Sequence, residues 1–126
     1  MIIVKTQTFP GMRQGYSCAG KTNTNSSGVG TISFTGKDVS SKITGLSFAA
    51  IYASAVAAIN VVVSIVSIAY SGGTTTITIQ ASIVTDSGAG TTDLTAFDGD
   101  VYYSFWVNDD TLPTDESTNN PGTENL

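Results

Sequence analysis

Histidine is absent from this sequence of 126 residues, and cysteine occurs once, as Cys18. A serine or cysteine nucleophile is usually activated by a histidine base, so the commonest catalytic triads cannot form. One cysteine without histidine also cannot supply an ordinary zinc site, and it cannot form an intramolecular disulfide. We therefore expect neither an enzyme nor a bound cofactor.

Charged residues are scarce too, at 12% of the chain, and only five residues are basic. The five are scattered over residues 1–107, where five Asp residues balance them. Nucleic-acid binding needs clustered Lys and Arg, so we expect no nucleic-acid partner. The net charge of −5 arises within residues 108–126, from Asp109, Asp110, Asp115, Glu116 and Glu124.

The most hydrophobic stretch, residues 48–69, has the average hydropathy of a membrane helix of about 20 residues. Its content is Val, Ile, Ala and Ser, however, and Asn60 lies within it. Residues 74–84 then alternate with a period of two, which indicates a strand. We expect buried strands and no membrane span. The N-terminus also lacks the features of a signal peptide, which predicts synthesis in a cytoplasm.

What the chain has in abundance is Ser and Thr, 34 residues of 126, and β-branched Thr favours strands. Alternating apolar residues predict strands over 2–9, 29–35, 60–70, 74–84, 94–97 and 101–107. Ser71, Gly72 and Gly73 join two of them as a hairpin. Residues 11–28, which include Cys18, and residues 85–93 predict loops. The stretch 39–52 is ambiguous: it suits a strand followed by an Ala-rich stretch, residues 49–58, that is able to hold a helical turn.

This pattern predicts an all-β fold, an antiparallel β-sandwich or jelly-roll-like single domain over residues 1–107. From residue 108 the composition becomes polar and acidic, and such a segment cannot bury enough apolar area to fold alone. We therefore predict an extended acidic C-terminal arm over residues 108–126, which a partner subunit would order.

Two motifs suggest chemistry that their surroundings do not support. Residues 15–22, Gly-Tyr-Ser-Cys-Ala-Gly-Lys-Thr, match the P-loop consensus, but the polar residues after them will not start the helix that phosphate binding needs. Asp98 and Asp100 offer hard oxygen ligands to Ca²⁺, and they equally suit a polar turn before a strand. We predict no nucleotide site and only a weak calcium candidate.

Residues 43–85 contain no charge, and the last strand carries large rings on both faces. An uncharged interface has a low desolvation cost, so we expect the core to cover one face and a neighbouring chain the other. The predicted oligomer interface is Val61, Val63, Ile65, Tyr102 and Trp106, and the predicted arm contacts are Asp109, Asp110, Leu112 and Pro113. Aromatic side chains, with Arg13, are also candidates for a ligand-binding face: Tyr16, Tyr52, Tyr70, Tyr102 and Trp106.

Four stretches within residues 29–107 carry a resemblance: Val-Val-Val-Ser-Ile at 61–65, Thr-Ile-Thr-Ile at 76–79, Asp-Ser-Gly at 86–88 and Tyr-Ser-Phe-Trp-Val at 103–107. Through them the region resembles the small β-sandwiches of bacteriophage virions, namely capsid decoration proteins and H-type-lectin-like tail-fibre tips. It implies a homotrimer in the virion that attaches to other virion proteins or to host glycans.

A fibre tip is usually the end of a longer chain, so we expect a decoration or accessory subunit from 126 residues that begin with Met1. One alternative is a receptor- or carbohydrate-binding module that uses loops 11–28 and 85–93. A second alternative is a fibre-forming surface protein that polymerises by strand exchange. No binding residue carries over from the resemblance.

Overall fold

A computed structural model describes residues 1–5, 15–50, 60–86 and 92–109, and these ranges contain eight β-strands and no helix. The all-β prediction is therefore confirmed. No helix capable of crossing a membrane occurs in these ranges. The strands are β1 (Ile2–Lys5), β2 (Tyr16–Asn23), β3 (Val29–Thr35), β4 (Ile43–Ala50), β5 (Asn60–Ser71), β6 (Thr74–Asp86), β7 (Thr92–Ala96) and β8 (Asp100–Val107).

The strands form two antiparallel sheets. Sheet A has the order β1-β2-β8-β4, and sheet B has the order β3-β6-β5 with β7 also paired to β6. Because β6 is 13 residues long, β3 and β7 share one of its edges. The two meet at Ala81, whose amide donates to the Gly28 carbonyl (2.8 Å) and whose carbonyl accepts from the Phe97 amide (3.0 Å). This leaves β5 alone on the other edge of β6.

The two sheets pack face to face through the central strands β8 and β6, which bury every second side chain. In β8 these are Val101, Tyr103, Phe105 and Val107, and in β6 they are Thr75, Ile77, Ile79 and Ala81. The rings of Phe34 in β3 and Phe105 in β8 stack across the two sheets, with their centroids 6.0 Å apart. The architecture is therefore the β-sandwich that the alternating pattern predicts.

The hairpin between β5 and β6 forms where it was predicted. Gly72 and Gly73 both have positive φ, 60° and 83°, as a two-residue turn of this type requires. The pairing shifts register between Ile65 and Ser67, so Val66 forms a bulge in the long strand β5. Val66 is 60% exposed.

One strand was not predicted, and a second was only one reading of an ambiguous stretch. Residues 16–23, expected to be loop, form β2, and Cys18 is therefore a buried core residue of a strand. Residues 43–50, left ambiguous, form β4, so Ala49 and Ala50 are extended and not helical. The remaining residues of the predicted first strand and of the predicted helical turn, 6–9 and 51–58, lie outside the described ranges.

The missed strand β2 is held at both ends by the rest of the sandwich. It pairs along its full length with β8, from Tyr16 opposite Val107 to Asn23 opposite Asp100. Beyond its end, the Thr24 amide donates to the Gly99 carbonyl (2.8 Å), and the Thr24 hydroxyl accepts from the Gly99 amide (3.1 Å). These bonds fasten the β2–β3 turn to the start of β8.

One buried hydroxyl in the core has no hydrogen-bond partner. The Thr75 side chain is 1% exposed, and its Oγ1 makes no hydrogen bond. We expect Thr75→Val to raise the free energy of unfolding by about 1 kcal/mol, because it removes an unsatisfied buried polar group at nearly constant shape. Urea denaturation measures the change. Thr78→Val, at a position of the same strand that is only half-buried, should change stability by less than half as much. Equal effects of the two substitutions would contradict this account.

Candidate functional site

The P-loop-like residues 15–22 form part of a strand and not a phosphate-binding loop. β2 pairs with β8 along its full length, and its first half, residues 16–19, also pairs with β1. The two glycines make room for aromatic rings: a Cβ at Gly15 would lie 2.2 Å from Cζ2 of Trp106, and one at Gly20 would lie 2.6 Å from the Tyr103 hydroxyl. The glycine spacing therefore has a packing explanation.

The calcium candidate Asp100 is engaged with side chains of β2. Its Oδ2 lies 3.3 Å from Nζ of Lys21, and its Oδ1 accepts a hydrogen bond from Nδ2 of Asn23. Asp98 is exposed in the turn before β8. Across the described ranges, no three acidic, cysteine or histidine side chains lie close enough together to hold a metal ion. The Asp98–Asp100 pair thus gains no third acidic ligand there.

The five predicted interface residues fall on two different surfaces. Val61, Val63 and Ile65 lie opposite Ile83, Ala81 and Ile79 of β6, and therefore on the core-facing side of β5. Tyr102 and Trp106 lie on the outer face of sheet A, because the residues that alternate with them in β8 are buried. The interface stays a prediction, and it divides into two separate surfaces.

The first surface is the side of the sandwich formed by β4 and β5, here called the open side. β4 ends sheet A and β5 ends sheet B among the described strands. Their core-facing side chains are incompletely covered: Ile65 is 44% and Tyr70 39% exposed, whereas Ile79, opposite Ile65, is fully buried. In β4, Ile43, Leu46, Phe48 and Ala50 are likewise only partly buried.

The open side also exposes apolar side chains outside the core. Val62 is 49% exposed, and Val66 at the bulge is 60% exposed. Neither β4 nor β5 contains a charged residue. A long, apolar edge strand without charge is the kind of edge that pairs with another chain, unless it is protected. The open side is therefore the candidate assembly surface.

The second surface is the outer face of sheet A around Tyr102, here called the Tyr102 face. Tyr102 is 46% exposed and lies directly opposite Lys21 in β2 and Ala49 in β4. Shallow depressions of about 430 Å³ and 200 Å³ lie on its two sides. The face comprises Tyr102, Ile2, Ala19, Lys21, Asn23, Ser47, Ala49, Asp100 and Ser104.

Trp106 lies on the same face, but contacts with its own chain limit access to its ring. Its ring packs over Gly15, and its Nε1 donates to Oδ1 of Asn108 at 2.7 Å. The indole is only half-exposed as a result. Of the two outward rings of β8, Tyr102 is the one available to a ligand or partner.

Asp109 forms a buried ion cluster with two lysines. Its side chain is 1% exposed, and its Oδ2 lies 2.6 Å from Nζ of Lys42 and 3.3 Å from Nζ of Lys37. The Asn108 amide also donates to the Lys42 carbonyl (3.0 Å). Asn108 and Asp109, expected to begin the arm, therefore pack against the body of their own chain. The other predicted arm contacts, Asp110, Leu112 and Pro113, lie outside the described residues.

Two titratable groups are buried in the core near this cluster. Burial raises the pKa of the Cys18 thiol to about 12, an effect that the N-terminal amine partly offsets. Burial also raises the pKa of the Tyr16 hydroxyl, and Coulomb interactions with Cys18 and Asp109 add to that rise. Cys18 is thus a protonated core residue and not a nucleophile. On the surface, hydrogen bonds from Ser40 lower the pKa of Asp38.

No protein family, curated protein or solved structure matches the chain.

We expect Asp109→Asn to lower the free energy of unfolding by about 1–3 kcal/mol. The substitution leaves Lys37 and Lys42 without their shared carboxylate, and the loss is moderated because both lysines reach solvent. Urea denaturation measures it, with Asp98→Asn as the control, since Asp98 is exposed. If both variants were equally stable, the cluster would not stabilise the fold.

Stability should also fall at alkaline pH. The ordinary pKa values are 9.0 for Cys18 and 10.0 for Tyr16, and both are raised in the folded chain. Above pH 9 the unfolded chain therefore loses protons that the folded chain keeps, so the free energy of unfolding decreases as pH rises. Urea denaturation between pH 8 and pH 11 should show a smaller decrease in Cys18→Ala than in the wild type, by up to about 1.4 kcal/mol per pH unit. Identical slopes would contradict this assignment.

Proposed function

We propose that the chain is a structural subunit that assembles with copies of itself, as a homotrimer, and attaches to a neighbouring virion protein as a capsid decoration or accessory subunit. The open side is the observation that supports self-assembly. Its apolar side chains are partly exposed on β4 and β5, including core-facing residues such as Ile65 and Tyr70. Covering them with a second chain would remove apolar surface from water, at about 25 cal/mol per Å².

Charge favours a second copy as the occupant of the open side. Residues 43–85 carry no charge, so two copies meet there without like-charge repulsion and without desolvating an ion. The two edge strands are different, so β4 of one copy can contact β5 of the next without the reciprocal contact, and such an interface is heterologous. Such a contact closes into a ring if the rotation fits, and a ring of three is the trimer proposed.

The virion setting is supported by the resemblance of residues 29–107 to phage β-sandwiches. The acidic residues beyond the body suit attachment, because four of the ten acidic residues lie at positions 110–126. They would attract a basic surface on the neighbouring protein. Asp109, fixed to Lys37 and Lys42, defines where this arm leaves the body.

Lysine substitution on the open side tests the assembly. We expect the wild type to have three times the 13.0 kDa mass of the chain by light scattering, and Val62→Lys with Val66→Lys to give the monomer mass. Both positions are exposed, so the sandwich should still fold, while lysines on an edge strand oppose pairing. Thr31→Lys, exposed on β3 across the sheet, is the matched control and should remain trimeric.

A monomeric wild type would contradict the proposal as a whole. A dimer would support self-assembly but contradict the trimeric state. Growth into filaments would favour the fibre-forming alternative. A chain that ends at Asp109 tests the arm separately: its oligomeric state should equal that of the full chain if the open side alone drives assembly.

A further inference from the structure

We propose that the Tyr102 face binds a neutral saccharide. The Tyr102 ring would stack on the apolar C–H face of a pyranose, and the polar side chains beside it would hydrogen-bond its hydroxyl groups. The open side plays no part in this site, so the inference goes beyond the assembly proposed above. It also differs from a carbohydrate site in loops 11–28 and 85–93, because it lies on the strands of sheet A.

The shape of the face leaves the Tyr102 ring accessible. Lys21 lies directly opposite the ring in β2, but the other neighbours on the sheet are short: Ala49 lies directly opposite in β4, and Ala19 lies opposite Ser104. The depression of about 430 Å³ on the β2 side is lined mostly by apolar atoms of Ile2, Ala19, Gly20 and Lys21 with the Tyr102 ring. This volume is within the range of small-ligand sites, about 300–1,000 Å³.

Hydrogen-bonding groups lie on the same face, one step along the strands from the ring. Asp100 is two residues before Tyr102 and therefore points to the same side of β8, and Asn23 lies directly opposite it. Lys21 Nζ and Asn23 Nδ2 both contact the Asp100 carboxylate, which holds its oxygens in place. Together they offer ammonium and amide donors with carboxylate and amide acceptors, which suit sugar hydroxyls because a hydroxyl both donates and accepts.

Other ligand classes fit this face less well. Lys21 is balanced by Asp100, so the face has no positive excess to attract nucleic acid or another anion. β8, which carries Tyr102, has strand neighbours on both sides, so a peptide cannot add to it as a further strand. A proline-rich peptide needs a groove between aromatic rings. On this face the Trp106 indole is hydrogen-bonded to Asn108 of its own chain and does not form such a groove with Tyr102. A neutral, ring-shaped polar ligand matches the accessible Tyr102 ring and the hydrogen-bonding groups beside it.

Titration of the full, ¹⁵N-labelled chain with a panel of neutral disaccharides tests the proposal by NMR. The panel comprises maltose, cellobiose, lactose, mannobiose and chitobiose. We expect at least one to give saturable shifts at millimolar concentration, centred on amides 19–21, 47–49 and 102–104. Tyr102→Ala should weaken that binding about tenfold, and Tyr102→Phe should retain it because the ring remains.

Leu94→Ala is the matched control, since Leu94 is also exposed but lies on β7 of the other sheet, outside both surfaces, and it should leave the binding unchanged. An unchanged circular dichroism spectrum and unfolding midpoint would show that each variant is folded. The proposal is overturned if no panel member gives saturable shifts, if binding survives Tyr102→Ala, or if a polyproline peptide shifts the same amides and no saccharide does. Light scattering on Tyr102→Ala keeps this outcome separate from self-assembly, which should be unaffected.

Discussion

The packing of β8 against β6 is the contact on which the rest of the molecule depends. Each is a central strand of its sheet, and every other described strand except β1 pairs directly with one of them. Their buried side chains meet in the middle of the sandwich, where Phe105 also stacks on Phe34. Full burial of one such side chain contributes about 1.5–3 kcal/mol, so this contact alone supplies much of the driving force for folding.

β6 carries the clearest alternation in the sequence, which is why the fold class could be predicted. β2 could not, because it contains small and polar residues that resemble a loop. It becomes a strand because β8 offers an edge along its full length, and because Gly15 and Gly20 leave room for the rings of Trp106 and Tyr103. Its conformation is thus determined by tertiary contacts, which often override local strand propensity.

The residues of the candidate surfaces could be named from the sequence, but their positions in the fold could not. The uncharged stretch and the two-faced aromatic strand pointed to Val61, Val63, Ile65, Tyr102 and Trp106. Alternation alone could not show that these residues divide between two sheets, since that depends on which strands pair. The Asp109 cluster was less predictable still, because Lys42 is 67 positions away along the chain and no local pattern joins the two.

The distribution of charge over the folded chain makes the two surfaces chemically distinct. Asp109 and its lysines lie where the β3–β4 connection meets the end of β8, and Lys21 and Asp100 lie on the Tyr102 face. Neither strand of the open side contains a charged residue, so a subunit that covered it would desolvate no ion. On the Tyr102 face, by contrast, the Lys21–Asp100 pair is nearly half-exposed and would lose hydration under a large protein partner. A small, hydroxyl-rich ligand can hydrogen-bond that pair while leaving it partly in water. The first surface therefore suits permanent burial, and the second suits reversible binding.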